Sequence, residues 1–312
     1  MRYIAPLLSI IILLIAPFYG QISIEVSNLT NPSTVDYKLF WELRLPRVVV
    51  AFFAGGVLGL GGLIFQSLFK NPMGTPYTLG VASGSTLGVA SAIIFGYTSF
   101  LSLFGFIGAL VTVVILFGVT SRVKSYDSNS LLLVGIALSF FYSASLMILF
   151  YLSDESQSFE IIRFTMGSVD VLGIRESIPL VLTGFGLLAI SLWYKKELKL
   201  LLTSNENAFL KGVEVRRVNT ILLLTVSIAT GVCVSITGPI GFVGLITPHI
   251  IKTIYKKSAD QLIVPIFFYA GLFLVLSDFI SRNLGASSDV PIGIITSFVG
   301  GPFFIYLIIK RK

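Results

Sequence analysis

Few residues of this chain could carry bond chemistry. It has one histidine, His249, and one cysteine, Cys233. Nucleophilic catalysis needs a nucleophile beside a base, and a metal centre needs several ligands. One imidazole and one thiol, in separate apolar stretches, supply neither set. An enzyme is therefore not expected, nor a cofactor or metal site, and a disulfide within the chain is impossible with one cysteine. His249 reads as a packing residue, with no Asp, Glu, Cys or second His nearby in sequence. No GxxxxGK[ST] loop occurs, so any ATP hydrolysis serving this protein belongs to another chain.

Charge offers more. Asp278 lies in an apolar stretch with Arg282 at i+4, the spacing at which two helical side chains meet. Arg44 and Arg47 flank "RLPR" at the start of another apolar stretch. Three arginines at one level could anchor lipid headgroups or receive acidic side chains from a docking protein.

The elements that hold these residues follow from composition. The chain of 312 residues is 55% hydrophobic and 12% charged, with mean hydropathy +0.93. Soluble domains carry about 25% charged residues, so this chain lacks the charge for a water-facing surface. Apolar runs long enough to span a bilayer fall near 4–20, 46–66, 76–96, 100–120, 131–152, 177–194, 218–236, 240–255, 263–281 and 291–309. The expected fold is all-α: one polytopic membrane domain over 1–312, with about ten transmembrane helices. The first run lacks a small-x-small cleavage site and reads as an uncleaved span. Most of the 22 basic residues fall in alternate loops, which places both termini on the cytoplasmic side. The same distribution accounts for the pI near 9.4 without a nucleic-acid surface.

Helix breakers cluster in two apolar segments, "KNPMGTPYTLG" (70–80) and "GPIGFVGLITPHI" (238–250). Irregular backbone at membrane depth is tolerated where it is buried in protein or lines a water-filled cavity. Paired interrupted segments therefore point toward a permeation path, on opposite sides of the membrane by span count, with 238–250 ending in a half-helix. Gly238, Pro239 and Gly241 are its candidate lining. Gly80, Gly84 and Gly88 recur four apart beside Ser83, as do Gly55 and Gly59. Such faces either line a pathway or let helices pack closely.

The inner loop "KKELKLLLTSNENAFLKGVEVRR" (195–217) predicts a short amphipathic helix. Ser204 or Asn205 caps it, Glu206 favours its N-terminus and Gly212 ends it. Ala208, Phe209 and Leu210 give it an apolar surface, to rest on the membrane or to insert into a cytoplasmic partner.

The stretches "RLPRVVVAFFAGGVLGLGGLIFQSLFKNPMGTPYTLGVASGSTLG", "MGSVD", "GPIGFVGLITPHI" and "PIGIITSFVGGPFFIYLI" occur in this order from about residue 40 onward. Together they resemble the permease subunits of ABC importers for iron-siderophores, haem and vitamin B12. The resemblance implies a permease in the cell membrane, paired with a second permease copy as a homodimer or close heterodimer. Two cytoplasmic ABC ATPase subunits would drive it, and an extracytoplasmic binding protein would deliver the cargo, a ferric siderophore by preference, with haem, cobalamin or an oxyanion as alternatives. It implies docking carboxylates at Arg44, Arg47 and Arg282, ATPase coupling at 204–213, and an inner gate near "YDSNS", at Ser128 and Asn129. The competing reading is an ion-coupled secondary transporter, which needs embedded carboxylates. Asp278 alone qualifies, with Arg282 placed to neutralise it.

Overall fold

A computed structural model describes residues 4–20, 22–122, 128–284 and 289–310. Among these no strand occurs, and a helix lies within each of the apolar runs. The principal helices are α1 (Ile4–Ile15), α2 (Leu45–Leu68), α3 (Val81–Ile94), α4 (Leu101–Arg122) and α5 (Ser128–Leu152). They continue with α6 (Glu155–Thr165), α7 (Ile178–Trp193), α8 (Lys195–Thr203), α9 (Asn205–Leu210) and α10 (Val215–Thr237). Last come α11 (Val243–Tyr255), α12 (Ala259–Leu284) and α13 (Ile292–Lys310).

Six helical segments are long and apolar enough to cross a bilayer: Val35–Leu68, Thr98–Val119, Ser130–Leu152, Ile174–Trp193, Val215–Thr237 and Ala259–Leu284. Other apolar helices are shorter. The 14 residues of α3 and the 13 of α11 rise only about 20 Å at 1.5 Å per residue, against a hydrocarbon core of about 30 Å. The half-helix expected after the 238–241 breakers is therefore present as α11, with Pro248 inside it.

The buried helix is α2. Its side chains are covered along almost the whole length, because α12, α11, α10 and α7 surround it. Glycine makes this possible: a Cβ on Gly62 would collide with the Gly244 carbonyl of α11. In an apolar solvent, close backbone approach replaces hydrophobic burial as the packing force. The outward faces of α4, α5 and α7 keep large apolar side chains such as Phe140, Tyr151 and Trp193 exposed, as a lipid-facing surface would.

One helix lies where the sequence predicts only a loop. α6 begins at a reciprocal capping box: the Gln157 N–H donates to Asp154 Oδ1 (2.7 Å), and the Asp154 N–H donates to Gln157 Oε1 (3.1 Å). An Asp followed three residues later by Gln is a readable start signal.

Candidate functional site

The arginine end of the molecule is built around Asp278 on α12. This carboxylate is fully buried and held by two guanidiniums. Arg47 Nε donates to Oδ1 at 2.7 Å, and Arg282 Nε lies 3.1 Å from Oδ2, so the i,i+4 pair forms. Arg47 Nη1 also contacts Asp289 at 2.6 Å and Asp170. Arg47 thereby joins α2, the α6–α7 linker, α12 and the segment before α13.

Arg44 and Arg282 have a second task. Arg282 donates to the carbonyls of Ala16 (3.4 Å) and Tyr19 (3.2 Å), and Arg44 to those of Phe18 (3.1 Å) and Ile22. These carbonyls follow α1, where helix C-terminal acceptors have no intrahelical donor. Two cations there satisfy the acceptors and complement the helix dipole. Both side chains are buried as a result. In this chain Arg44 and Arg282 aim inward, at internal acceptors, whereas Arg47 pairs with buried Asp278 on one side and with partly exposed Asp170 and Asp289 on the other.

The two breaker segments meet, although span counting separates them. The Ile240 N–H donates to the Tyr77 hydroxyl at 3.0 Å. Short α3 is the reason: its preceding turn, Pro76–Leu79, is carried into the molecule instead of remaining at its surface. Gly238 sits at φ 66°, ending α10, and a Cβ there would strike the Phe164 carbonyl. The Ser168 N–H donates to the Thr237 carbonyl at 2.8 Å. The α6–α7 linker is thus stitched to the break. Phe242 opens α11 at φ 67°, a strained conformation for a side-chain-bearing residue. Its ring is seated against Gly300 of α13, where a Cβ would displace it.

Three cavities run along this seam. One of about 370 Å³ lies beside Arg47, Arg163, Asp170 and Asp289 and reaches Met166. A second, about 450 Å³, shares Met166 and is lined by Pro239, Gly241, Ser297 and Phe298. A third, about 390 Å³, shares Gly241 and is lined by Met73, Tyr77, Phe242 and Phe304. The shared residues set the three cavities side by side, as a track of adjoining hollows along the chain. Charged side chains line only its first cavity.

Of the residues expected on a path, Pro239 and Gly241 line this track, and Gly238 is buried beside it. Gly84 and Gly88 instead face α4, where a Cβ would meet Thr112 Oγ1 and the Phe104 carbonyl respectively. Close packing accounts for both. Gly80, at φ 77°, turns the chain into α3 against Gly135, and Ser83 is half-buried on the same helix. The side chains of Ser128 and Asn129, at the start of α5, lie outside the described residues.

At the other end of α12, Asp260 lies 3.8 Å from Lys199 of α8. Eighteen residues separate Asp260 from Asp278, about 27 Å along the helix. Here the predicted cap is found: Ser204 Oγ accepts from the Asn207 N–H at 3.1 Å, and Gly212 takes φ 82° after α9. The Asn205 side chain lies outside the described residues, and Glu206 is exposed. The expected apolar surface is narrower than the sequence suggests. Phe209 and Leu210 point out, whereas Ala208 is fully buried. A six-residue helix turns Ala208 inward, where its carbonyl also accepts from the Val213 N–H at 3.0 Å.

The sequence gives weaker notice of Asp170, Asp289, Tyr77 and Met166. Three arginines near one apolar boundary demand carboxylates, but spacing alone does not say which.

Comparison with known proteins agrees with this architecture. The model of the FecCD transport family matches residues 7–310. The Hemin transport system permease protein HmuU of Yersinia pestis is 33% identical, covering 94% of this chain and 90% of its own. The Vitamin B12 import system permease protein BtuC of Vibrio vulnificus is 30% identical, covering 97% and 92%. An inward-facing structure of a metal-chelate type ABC transporter superposes with a TM-score of 0.89 at 27% identity, over 98% of this chain and 97% of that one. The chain belongs to the FecCD transport family, as a multi-pass membrane permease of the ABC-importer type.

Proposed function

We propose that this chain forms one wall of an import path for a bulky metal chelate, closed by a second copy of itself. The observation that carries this reading is the track of adjoining hollows from Arg47 to Phe304, open along one side, with Phe298 81% exposed. A path closed by one chain would have no such open wall. In the importer, about ten helical segments per copy cross or enter the membrane, and both termini are cytoplasmic.

The inner cavities of the track are apolar and aromatic, with no charged side chain. A small oxyanion would leave water there without a compensating cation, at a cost that burial of charge makes large. A chelate hides its metal charge behind an organic shell. Ferric siderophore is the first reading, and haem or cobalamin, the cargoes named for the relatives, are its alternatives.

Energy enters at the other end. Phe209 and Leu210 stand out from the capped helix α9 as a knob for a cytoplasmic ABC ATPase, and two such subunits serve the pair. A binding protein outside delivers the chelate at the arginine end, with its carboxylates directed to Arg47 and its neighbours Arg44 and Arg282. The secondary-transporter reading fails on Asp278: held by two guanidiniums, it has no room to exchange a coupling ion.

The track can be tested with single cysteines, since Cys233 is buried. Cysteines at Met166, Ser297, Phe298 and Met73 are expected to react with a membrane-impermeant maleimide in native membranes. Cysteines at Phe140 and Tyr151 on α5 serve as lipid-facing controls. Labelling of the controls but not of the track would contradict the path.

A further inference from the structure

Two arginines, Arg47 and Arg282, and three aspartates make up the ion-paired cluster at the outer end, so its cations already have more than their complement of carboxylates. An incoming carboxylate cannot simply add to it. We propose that Asp170 and Asp289 act as internal stand-ins for a partner's carboxylates, so that an acidic protein docks by exchange at Arg47 and thereby frees the α6–α7 linker. This rests on the docking part of the proposed function and goes beyond it, by naming what the partner must displace and what the displacement releases.

The exchange is confined by geometry. Asp278 is 0% exposed and holds Nε of Arg47 at 2.7 Å. Removing it would take from Arg47 and Arg282 the one fully buried carboxylate that both share, so it stays. Asp170 and Asp289 share the outward Nη1 of the same guanidinium, and their side chains are 40% and 35% exposed. Ion pairs reached by water are weak and readily traded. Arg47 therefore has a fixed half and an exchangeable half. Arg44 and Arg282, sunk against the carbonyls after α1, offer a partner no comparable face.

Asp170 also leads inward. Ser168 Oγ donates to its Oδ2 at 2.8 Å, and the Asp170 N–H donates back to Ser168 Oγ at 3.0 Å. The Ser168 N–H donates to the Thr237 carbonyl at 2.8 Å, immediately before the Gly238 break. Gly167 and Met166 continue the same strap, against the Pro239 carbonyl and Gly293. Three contacts, Arg47 to Asp170, Asp170 to Ser168 and Ser168 to Thr237, thus connect Arg47 to the break at Gly238. While Asp170 holds Arg47, the strap is fastened at both ends. When a partner's carboxylate takes its place, the strap keeps its inner attachment and, further along, the Gly173 N–H bond to the Glu42 carbonyl at 2.7 Å, so the stretch between them, beside Met166, is free to widen.

The test uses the full-length chain in detergent, spin-labelled at Leu172→Cys, on the exposed linker, and Asn283→Cys, at the end of α12. Pulsed-dipolar distances are recorded for the otherwise unchanged chain and for Asp170→Asn/Asp289→Asn. A glutamate homopolymer serves as the carboxylate probe, a glutamine homopolymer of equal length as the control, and binding is measured at low salt. Exchange requires that the double variant broaden the distance distribution without probe. It also requires that the glutamate polymer broaden it in the unchanged chain, and that the double variant bind this polymer about tenfold more tightly. If the double variant leaves either the distances or the affinity unchanged, exchange is wrong. The docking reading is separated by Arg47→Gln, with Arg47→Lys as the charge-preserving variant should the first fail to fold. Loss of polymer binding in these variants, alongside an unaltered double variant, keeps docking and rejects exchange. Unaltered binding in the Arg47 variants rejects both.

Discussion

The two ends of α12 treat charge in opposite ways. At Asp278 and Arg282 the charged groups are buried and aimed at internal partners, one carboxylate shared by two guanidiniums. At Asp260 and Lys199 the contact is long and partly exposed, and beside it Phe209 and Leu210 stand out into open space. One end is fastened by interactions that are costly to break, while the other presents an uncommitted surface. The conduit proposed above, moved by a separate motor, needs this asymmetry: a handle that can be gripped, and a frame that transmits the movement without coming apart.

The sharpest way to break the comparison is Asp278→Ala. It removes the buried carboxylate shared by two guanidiniums, and the loss expected is about 3–5 kcal/mol, read as a large fall in the thermal midpoint in detergent. A midpoint unchanged from the natural chain would mean that the cluster is not the fastening. Gly238→Ala comes next. It forces a side chain into φ 66° and against the Phe164 carbonyl, at about 1–3 kcal/mol for the backbone strain alone. The same thermal measurement checks it, and tolerance would show that the break relaxes freely. Ser204→Ala removes the cap of α9 at about 1 kcal/mol. It is expected to lower protection of the 205–210 amides in hydrogen exchange while leaving the arginine end untouched. Smallest in stability, and largest in assembly, is Phe209→Ala with Leu210→Ala. The thermal midpoint should not move, yet a co-expressed ABC ATPase subunit should no longer co-purify. Retained co-purification would move the handle elsewhere.

Much of this asymmetry was legible in the sequence, for different reasons at each end. The cap at Ser204 and the stop at Gly212 are local: their effects act within one helical turn, so residue type and spacing suffice. The Asp278–Arg282 pair is local for the same reason. The partners of Arg47 are not. Asp170 and Asp289 lie 123 and 242 residues away in the chain, and only packing brings them together. The breakers at 76 and 239 signal irregular backbone, but their hydrogen bond through Tyr77 depends on how deeply a short α3 is set. The glycines of α3 show the limit from the other side. A four-residue repeat fits a pathway and a packing seam equally well, and contact with α4 decides for Gly84 and Gly88.

The measurement closest to the heart of this account is uptake by sealed vesicles containing the chain alone, with proton or sodium gradients imposed. Labelled ferric hydroxamate, haemin and cobalamin serve as separate probes. No probe should concentrate inside at any gradient, because Asp278 is held by two guanidiniums and the proposed function puts the motor on another polypeptide. Uphill accumulation of any one of them by the isolated chain would contradict the account.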